Sequence, residues 1–319
     1  MTHNRIRSYV STIWLATHLI TTALAAEPPI QCVTFSPDGQ SVVAAQQGVI
    51  RIYDWPSLQP NRLADNLDWS HLYRLRFVSN DQMLAAGGRP GEYGEWALFT
   101  WPELTILRQH VVHDDVIHDA ILCQTNVSAA VVSAEGDQLR LWNLTDQPSK
   151  PIATLTGHSR RILSLHPIDQ HLFVSSSADH TLRLWDANSA TLVRSLENHT
   201  DSVLQVEVRP AERPLPQIAS CGADRTIRFW QPTIGRMMRF VRLDVTPVTI
   251  AWTPEGKHLA TVDQRGTVYW IDPETASIVQ QSQAESTAWP FSLAVHPDDH
   301  RVILGGENGM LRIVQPPTE

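Results

Sequence analysis

The chain has 319 residues, 42% of them hydrophobic and 18% charged, and a formal net charge of −8. These proportions exclude a disordered tail and fit a globular protein that can bury a sizeable core, while the acidic balance argues against general binding to a phosphate backbone. The three cysteines, Cys32, Cys123 and Cys221, are too widely spaced for a disulfide framework or a haem-attachment motif, and read as small buried hydrophobes on separate strands.

At the N-terminus, residues 1–26 read as an export signal. Arg5 and Arg7 precede a mostly apolar stretch over residues 9–24, and Ala23-Leu24-Ala25-Ala26 stands before Glu27-Pro28-Pro29. Arg5 and Arg7 are the only charged residues before Glu27, so cleavage there would change the net charge from −8 to −10. No later segment resembles a transmembrane span. The expectation is an extracytoplasmic protein, periplasmic or secreted, with residues 27–319 forming one domain.

From Ile30 onward the chain repeats. The segments Gly48-Val-Ile-Arg-Ile-Tyr-Asp54, Gln138-Leu-Arg-Leu-Trp-Asn143, Thr181-Leu-Arg-Leu-Trp-Asp186, Thr226-Ile-Arg-Phe-Trp-Gln231, Thr267-Val-Tyr-Trp-Ile-Asp272 and Met310-Leu-Arg-Ile-Val-Gln315 superpose without gaps, and Trp96-Ala-Leu-Phe-Thr100 is a weaker copy. Their anchors, Tyr53, Phe99, Trp142, Trp185, Trp230, Ile271 and Val314, are separated by 46, 43, 43, 45, 41 and 43 residues. That period is the signature of propeller blades. Turns such as Ser36-Pro-Asp-Gly39, Thr253-Pro-Glu-Gly256 and His296-Pro-Asp-Asp299 recur ahead of the anchors, where proline presets the turn dihedral and ends a strand. Between them, short β-branched or small runs such as Val42-Val-Ala-Ala45 and Val302-Ile-Leu304 read as buried strands. The glycine-rich segment from Gly87 to Gly94 reads as an elongated hairpin of the second unit. Two units share an echo after the anchor, Tyr53-Asp-Trp-Pro-Ser-Leu58 and Phe99-Thr-Trp-Pro-Glu-Leu104, as tandem duplication would leave. The prediction is an all-β, seven-bladed β-propeller.

The fourth unit is the fullest: His158 of Thr156-Gly157-His158 stands 21 positions before Asp179, which stands 6 before Trp185, and Trp185-Asp186 follows. In these residues the chain resembles the WD40 repeat family, over the whole stretch from about Ile30 to Gln315. The resemblance implies a hydrogen-bonded chain of His158, Ser176, Asp179 and Trp185 that satisfies polar groups between blades. It also implies a degenerate copy in His199, Cys221, Asp224 and Trp230. A His, Ser and Asp set that recurs with each blade is structural, so no catalytic residues are assigned. The first unit has Gln47 and the third Gly136 where Asp is expected, and the sixth and seventh replace Trp with Ile271 and Val314. Apolar packing is expected to hold those blades.

The resemblance also implies that the N-terminal segment supplies the outer strand of the last blade, without which a sheet edge stays open. The repeat spacing puts that strand on residues 19–23, inside the export signal. Cleavage and closure therefore exclude each other. Cleavage is the expectation, leaving a seventh blade of three strands.

Among chemistry-bearing residues, His110, His113 and His118 with Asp114, Asp115 and Asp119 form the densest group of metal-ligand types. Their spacing fits no metal motif, and no metal or other cofactor is expected. No phosphate-binding loop or nucleophile elbow is present. In WD40 proteins the loops leading into each first strand and those before each third strand share one face, which here would carry Trp69, Arg89, Tyr93, Arg160, Arg161, Arg225, Arg265 and Trp289. Trp, Tyr and Arg dominate interface hot spots. A basic, aromatic face on an acidic protein suits an acidic peptide or an anionic polymer. The expected function is a non-catalytic protein-interaction scaffold, with no nucleic-acid partner and no membrane span after signal removal. The alternative is a propeller lactonase or metal-assisted hydrolase working in the central channel, for which the histidine cluster is the only support.

Overall fold

A computed structural model describes residues 27–64, 69–112, 115–126, 128–144, 150–210, 213–283 and 288–317. The proposed signal and its residues 19–23 lie outside the described residues.

The strands form seven antiparallel sheets, six of four strands and a last one of three. The fourth blade shows how the repeat folds. Its strands run from the ring axis outward as Ile162–Pro167, Leu172–Ser177, Leu182–Asp186 and Thr191–Leu196. Its second strand is buried on both faces, because neighbouring blades cover it, while the outer strand is mostly exposed. The small and β-branched runs of the sequence fall on such second strands, and the anchors fall on third strands. The glycine-rich segment of the second unit makes a hairpin between Gln82–Arg89 and Tyr93–Thr100.

Apolar clusters shared by adjacent blades turn the sheets into a ring. Ile50, Ile52, Leu72 and Phe99 join blades one and two, and Leu141, Leu165 and Trp185 join three and four. Ile30, Phe35, Tyr53 and Ile303 join the first blade to the last. Each fully buried large side chain contributes about 1.5–3 kcal/mol of transfer free energy, and this is the main force holding the ring.

The seventh blade consists of Pro290–Val295, Val302–Gly306 and Leu311–Val314, with no fourth strand among the described residues. A cavity of about 800 Å³ lies beside it, lined by Trp270, Val279 and Pro316 among others. The Trp270 indole N–H there is buried without an acceptor.

Candidate interaction face and central channel

Repeated backbone hydrogen bonds define the two faces of the ring. On one face, the hairpin before each third strand bonds the loop leading into its blade's first strand: Ala178 N–H to Arg161 O (2.9 Å), Ala223 to Ser202 (2.8 Å), Gln264 to Thr246 (3.1 Å) and Glu307 to Trp289 (2.9 Å). On the other face the proline turns meet the loops into the outer strands, as in Trp55 N–H to Gln40 O (2.9 Å) and Ala187 to His171 (2.8 Å).

The polar relay of the fourth blade runs from Trp185 to Asp179. Trp185 Nε1–H donates to Ser175 Oγ (2.8 Å), the Ser175 hydroxyl donates to His158 Nε2 (2.7 Å), and His158 Nδ1–H donates to Asp179 Oδ2 (2.7 Å). Donor and acceptor roles on the ring follow from the network. Burial lowers the His158 pKa and keeps the imidazole neutral. Burial alone would raise the Asp179 carboxyl, but hydrogen bonds from Thr181 and His158 outweigh it and bring it to about 2. The fifth blade repeats the relay through Trp230, Ser220, His199 and Asp224.

These relays correct two expectations. The hydroxyl is Ser175, not Ser176, and in the fifth blade it is Ser220, not Cys221. Strand parity is the reason. Phe173 pairs with Trp185 and Ser175 with Arg183, so Ser175 lies on the indole's face of the sheet, while Ser176 pairs with Leu182 on the opposite face. Ser175→Ala should therefore cost about 1–3 kcal/mol, by stranding two buried partners, and Ser176→Ala close to nothing, since its Oγ has no hydrogen-bond partner. Denaturant midpoints of the two variants check this; equal losses would refute the assignment.

Apolar packing is not the whole account of the other blades either. In the third, Trp142 Nε1–H donates to Ser133 Oγ (2.9 Å), whose hydroxyl donates to Glu135 (2.6 Å). In the sixth, the Tyr269 hydroxyl donates to Asp263 (2.9 Å).

The expected face residues divide. Trp69 is only 3% exposed, with its indole N–H donating to the Glu95 carboxylate, so it belongs to the core between blades one and two. Arg89 and Tyr93 flank the second-blade hairpin, where Arg89 pairs with Glu92 at 3.3 Å and lies over the Tyr93 ring. Asp115 links that hairpin to the fourth blade, accepting from Gly91 N–H (3.2 Å) and pairing with Arg161 (3.3 Å). Arg160, Arg161, Arg225 and Arg265 are exposed on this face, as is Trp289, 58% of whose surface is open to solvent.

The histidine cluster does not converge. His110 sits on an outer strand with its ring centroid 3.7 Å from that of Trp142. His118 packs against Tyr73, and burial, helped by Arg161, lowers its pKa to about 4. His113 and Asp114 lie outside the described residues. Among the described residues no group of three or more His, Cys, Asp or Glu side chains is placed to hold a metal ion.

Asp119 instead belongs to a polar girdle around the channel, which sequence reasoning missed. Wholly buried, it meets Arg74 Nε at 3.2 Å and an Arg76 amine at 3.6 Å, and accepts from Leu165 N–H (2.8 Å), joining blades two, three and four. His166 pairs with Glu207 at 3.0 Å, joining four and five, and Gln205 accepts from the Thr249 hydroxyl (2.6 Å), joining five and six. Burial would raise the Glu207 carboxyl, yet His166, Arg76 and Arg74 together bring it down to about 2. The available signal was charge inside short apolar strands: Arg74 and Arg76 in His71–Phe77, Asp119 in Ile117–Gln124 and Glu207 in Val203–Val208.

Seven radial sheets, two of them carrying a His–Ser–Trp relay, define a WD40-type β-propeller. Three stretches of the chain, residues 19–54, 149–186 and 190–231, match the family described as "WD domain, G-beta repeat". Telomerase protein component 1 of Rattus norvegicus is 25% identical over 248 residues, which is 75% of this chain and 9% of that protein. Coronin-7 of Homo sapiens is 31% identical over 111 residues, 33% of this chain and 12% of that protein. Anaphase-promoting complex subunit cdc20 of Dictyostelium discoideum is 26% identical over 168 residues, 50% of this chain and 33% of that protein. The chain thus matches only a minor part of each relative's length. Such propeller relatives fit a protein-interaction scaffold. No helix among the described residues is long and apolar enough to cross a membrane.

Proposed function

We propose that this chain is an exported, non-catalytic interaction scaffold whose protein partner docks through an acidic segment on the loop face. The observation that carries the reading is the exposure of Arg160, Arg161, Arg225, Arg265 and Trp289 on one side of a rigid ring with net charge −8. Loops held on a rigid scaffold suit recognition, and Arg with Trp supplies both charge complementarity and desolvated contact area. Export rests on the N-terminal pattern of Arg5 and Arg7, the apolar stretch and the small residues before Glu27.

One experiment addresses both parts. Wild type and the triple variant Arg160→Glu, Arg161→Glu, Arg225→Glu are used to capture partners from the native extracytoplasmic fraction, and the native protein recovered from that fraction is sequenced from its N-terminus. The expected results are loss of the captured partner by the folded variant and a chain starting at Glu27. Unchanged capture removes the face from consideration, and a start upstream of Leu19 refutes cleavage.

A further inference from the structure

The inner strands enclose a channel along the ring axis. At the end opposite the loop face it widens into a cavity of about 480 Å³. Small-molecule sites occupy roughly 300–1,000 Å³, with mostly apolar walls and a few convergent polar groups. This cavity falls within that range of size, with polar and apolar surface in about equal parts. Phe77, Val208, Trp252 and Val295, each the last residue of its inner strand, form an apolar collar at the mouth. Arg74, Arg76, His166 and Glu207 also line it.

Asp119, which does not line the cavity, pairs with both arginines within the girdle and supplies one negative charge, and on the cavity wall itself the two guanidiniums face one further carboxylate, that of Glu207. That carboxylate already accepts from Gln205 (2.7 Å) and pairs with His166 (3.0 Å). The arginine side chains are 21% and 18% exposed and line the cavity. Guanidinium groups suit the planar geometry of a carboxylate. The aromatic wall is fixed: Arg209 lies 5.3 Å over the Trp252 ring, and Trp252 Nε1–H donates to Glu207 O (3.4 Å).

We propose that this end of the channel binds a small organic anion, a carboxylate seated on Arg74 and Arg76 and carried by an apolar or aromatic body packed against Phe77 and Trp252. The site lies on the opposite side of the ring from the interaction face and does not depend on that reading.

Isothermal titration calorimetry of the full chain with benzoate, benzyl alcohol and inorganic phosphate tests it. Benzoate should bind saturably at millimolar or lower concentration, and more tightly than either of the others, because benzyl alcohol lacks the charge and phosphate lacks the apolar body. Arg76→Gln should weaken benzoate binding about tenfold or more, the factor expected for a hydrogen bond to a charged group. Glu207→Gln, which removes the opposing charge while keeping an acceptor and a donor, should tighten it several-fold. Absence of saturable benzoate binding overturns the proposal, as does equal binding of benzyl alcohol or phosphate. If Arg76→Gln does not fold, an unchanged affinity in Glu207→Gln overturns it equally.

Discussion

Asp119→Asn should lower the unfolding free energy by about 3–5 kcal/mol, the loss associated with breaking a buried ion pair from one side. Asp119 is 0% exposed, and its carboxylate faces Arg74 and Arg76 while accepting from Leu165 N–H and the Ser164 hydroxyl (3.4 Å). The amide keeps one acceptor oxygen but leaves two guanidiniums side by side with Glu207 as their remaining counter-charge. Asp115→Asn is the internal comparison. Asp115 pairs with Arg161 at 3.3 Å, but the two side chains are 36% and 53% exposed, so water and salt screen the pair. Its loss should cost about 1 kcal/mol or less. Urea titrations of the two variants decide the matter, and a cost at Asp119 no greater than at Asp115 would refute the girdle. The contrast is instructive because the two residues stand four positions apart in one apparent cluster, and only burial separates their energetic weight.

Trp55→Ala should cost about 3 kcal/mol, near the low end of aromatic truncations because the ring is partly exposed. Its loss should also open a defined place. Trp55 stacks on His296 with centroids 5.1 Å apart, meets Phe35 edge-on at 4.9 Å, lies 4.5 Å beneath the Arg301 guanidinium and donates from Nε1 to Asp299 (3.3 Å). His296 Nε2–H in turn donates to Gly39 O (2.9 Å). Gly39 has a φ of +69°, and a Cβ there would lie 2.8 Å from His296 Nε2, so glycine alone permits the approach. This clasp joins the first blade to the last. Hydrogen exchange should therefore lose protection first in Cys32–Phe35 and Pro290–Val295. Trp101→Ala removes the matching ring of the second blade, which packs edge-on against Phe77 at 5.0 Å away from the seam, so its losses should fall on blades one and two. The same exchange pattern in both variants would argue against a clasp.

The Trp-Pro-x-Leu echo was legible as a duplication and illegible as a clasp. Leu58 and Leu104 adopt matching positive φ values of 54° and 58°, and both tryptophans lean on the last residue of their own inner strand, Phe35 or Phe77. Only the position of blade one beside blade seven gives Trp55 a partner across the ring closure. Trp69 shows the reverse error. Its residue type suggested recognition, but Glu95 supplies an acceptor inside the core, so a polar tip that favours exposed positions is satisfied in the interior.

By itself the sequence determined the number of blades and the place of each anchor, because these follow from a period of about 43 residues and from the strand and turn chemistry within each period, while the face on which the loops gather was implied by the family resemblance. It did not determine which serine completes each relay, why Asp119 is buried or how the first blade grips the last. The relay serines turn on strand register, where a shift of one residue moves a side chain to the other face of the sheet. The girdle and the clasp turn on charges and rings brought together from different blades, Arg74 with Asp119 and Trp55 with His296, whose separation along the chain carries no local signal.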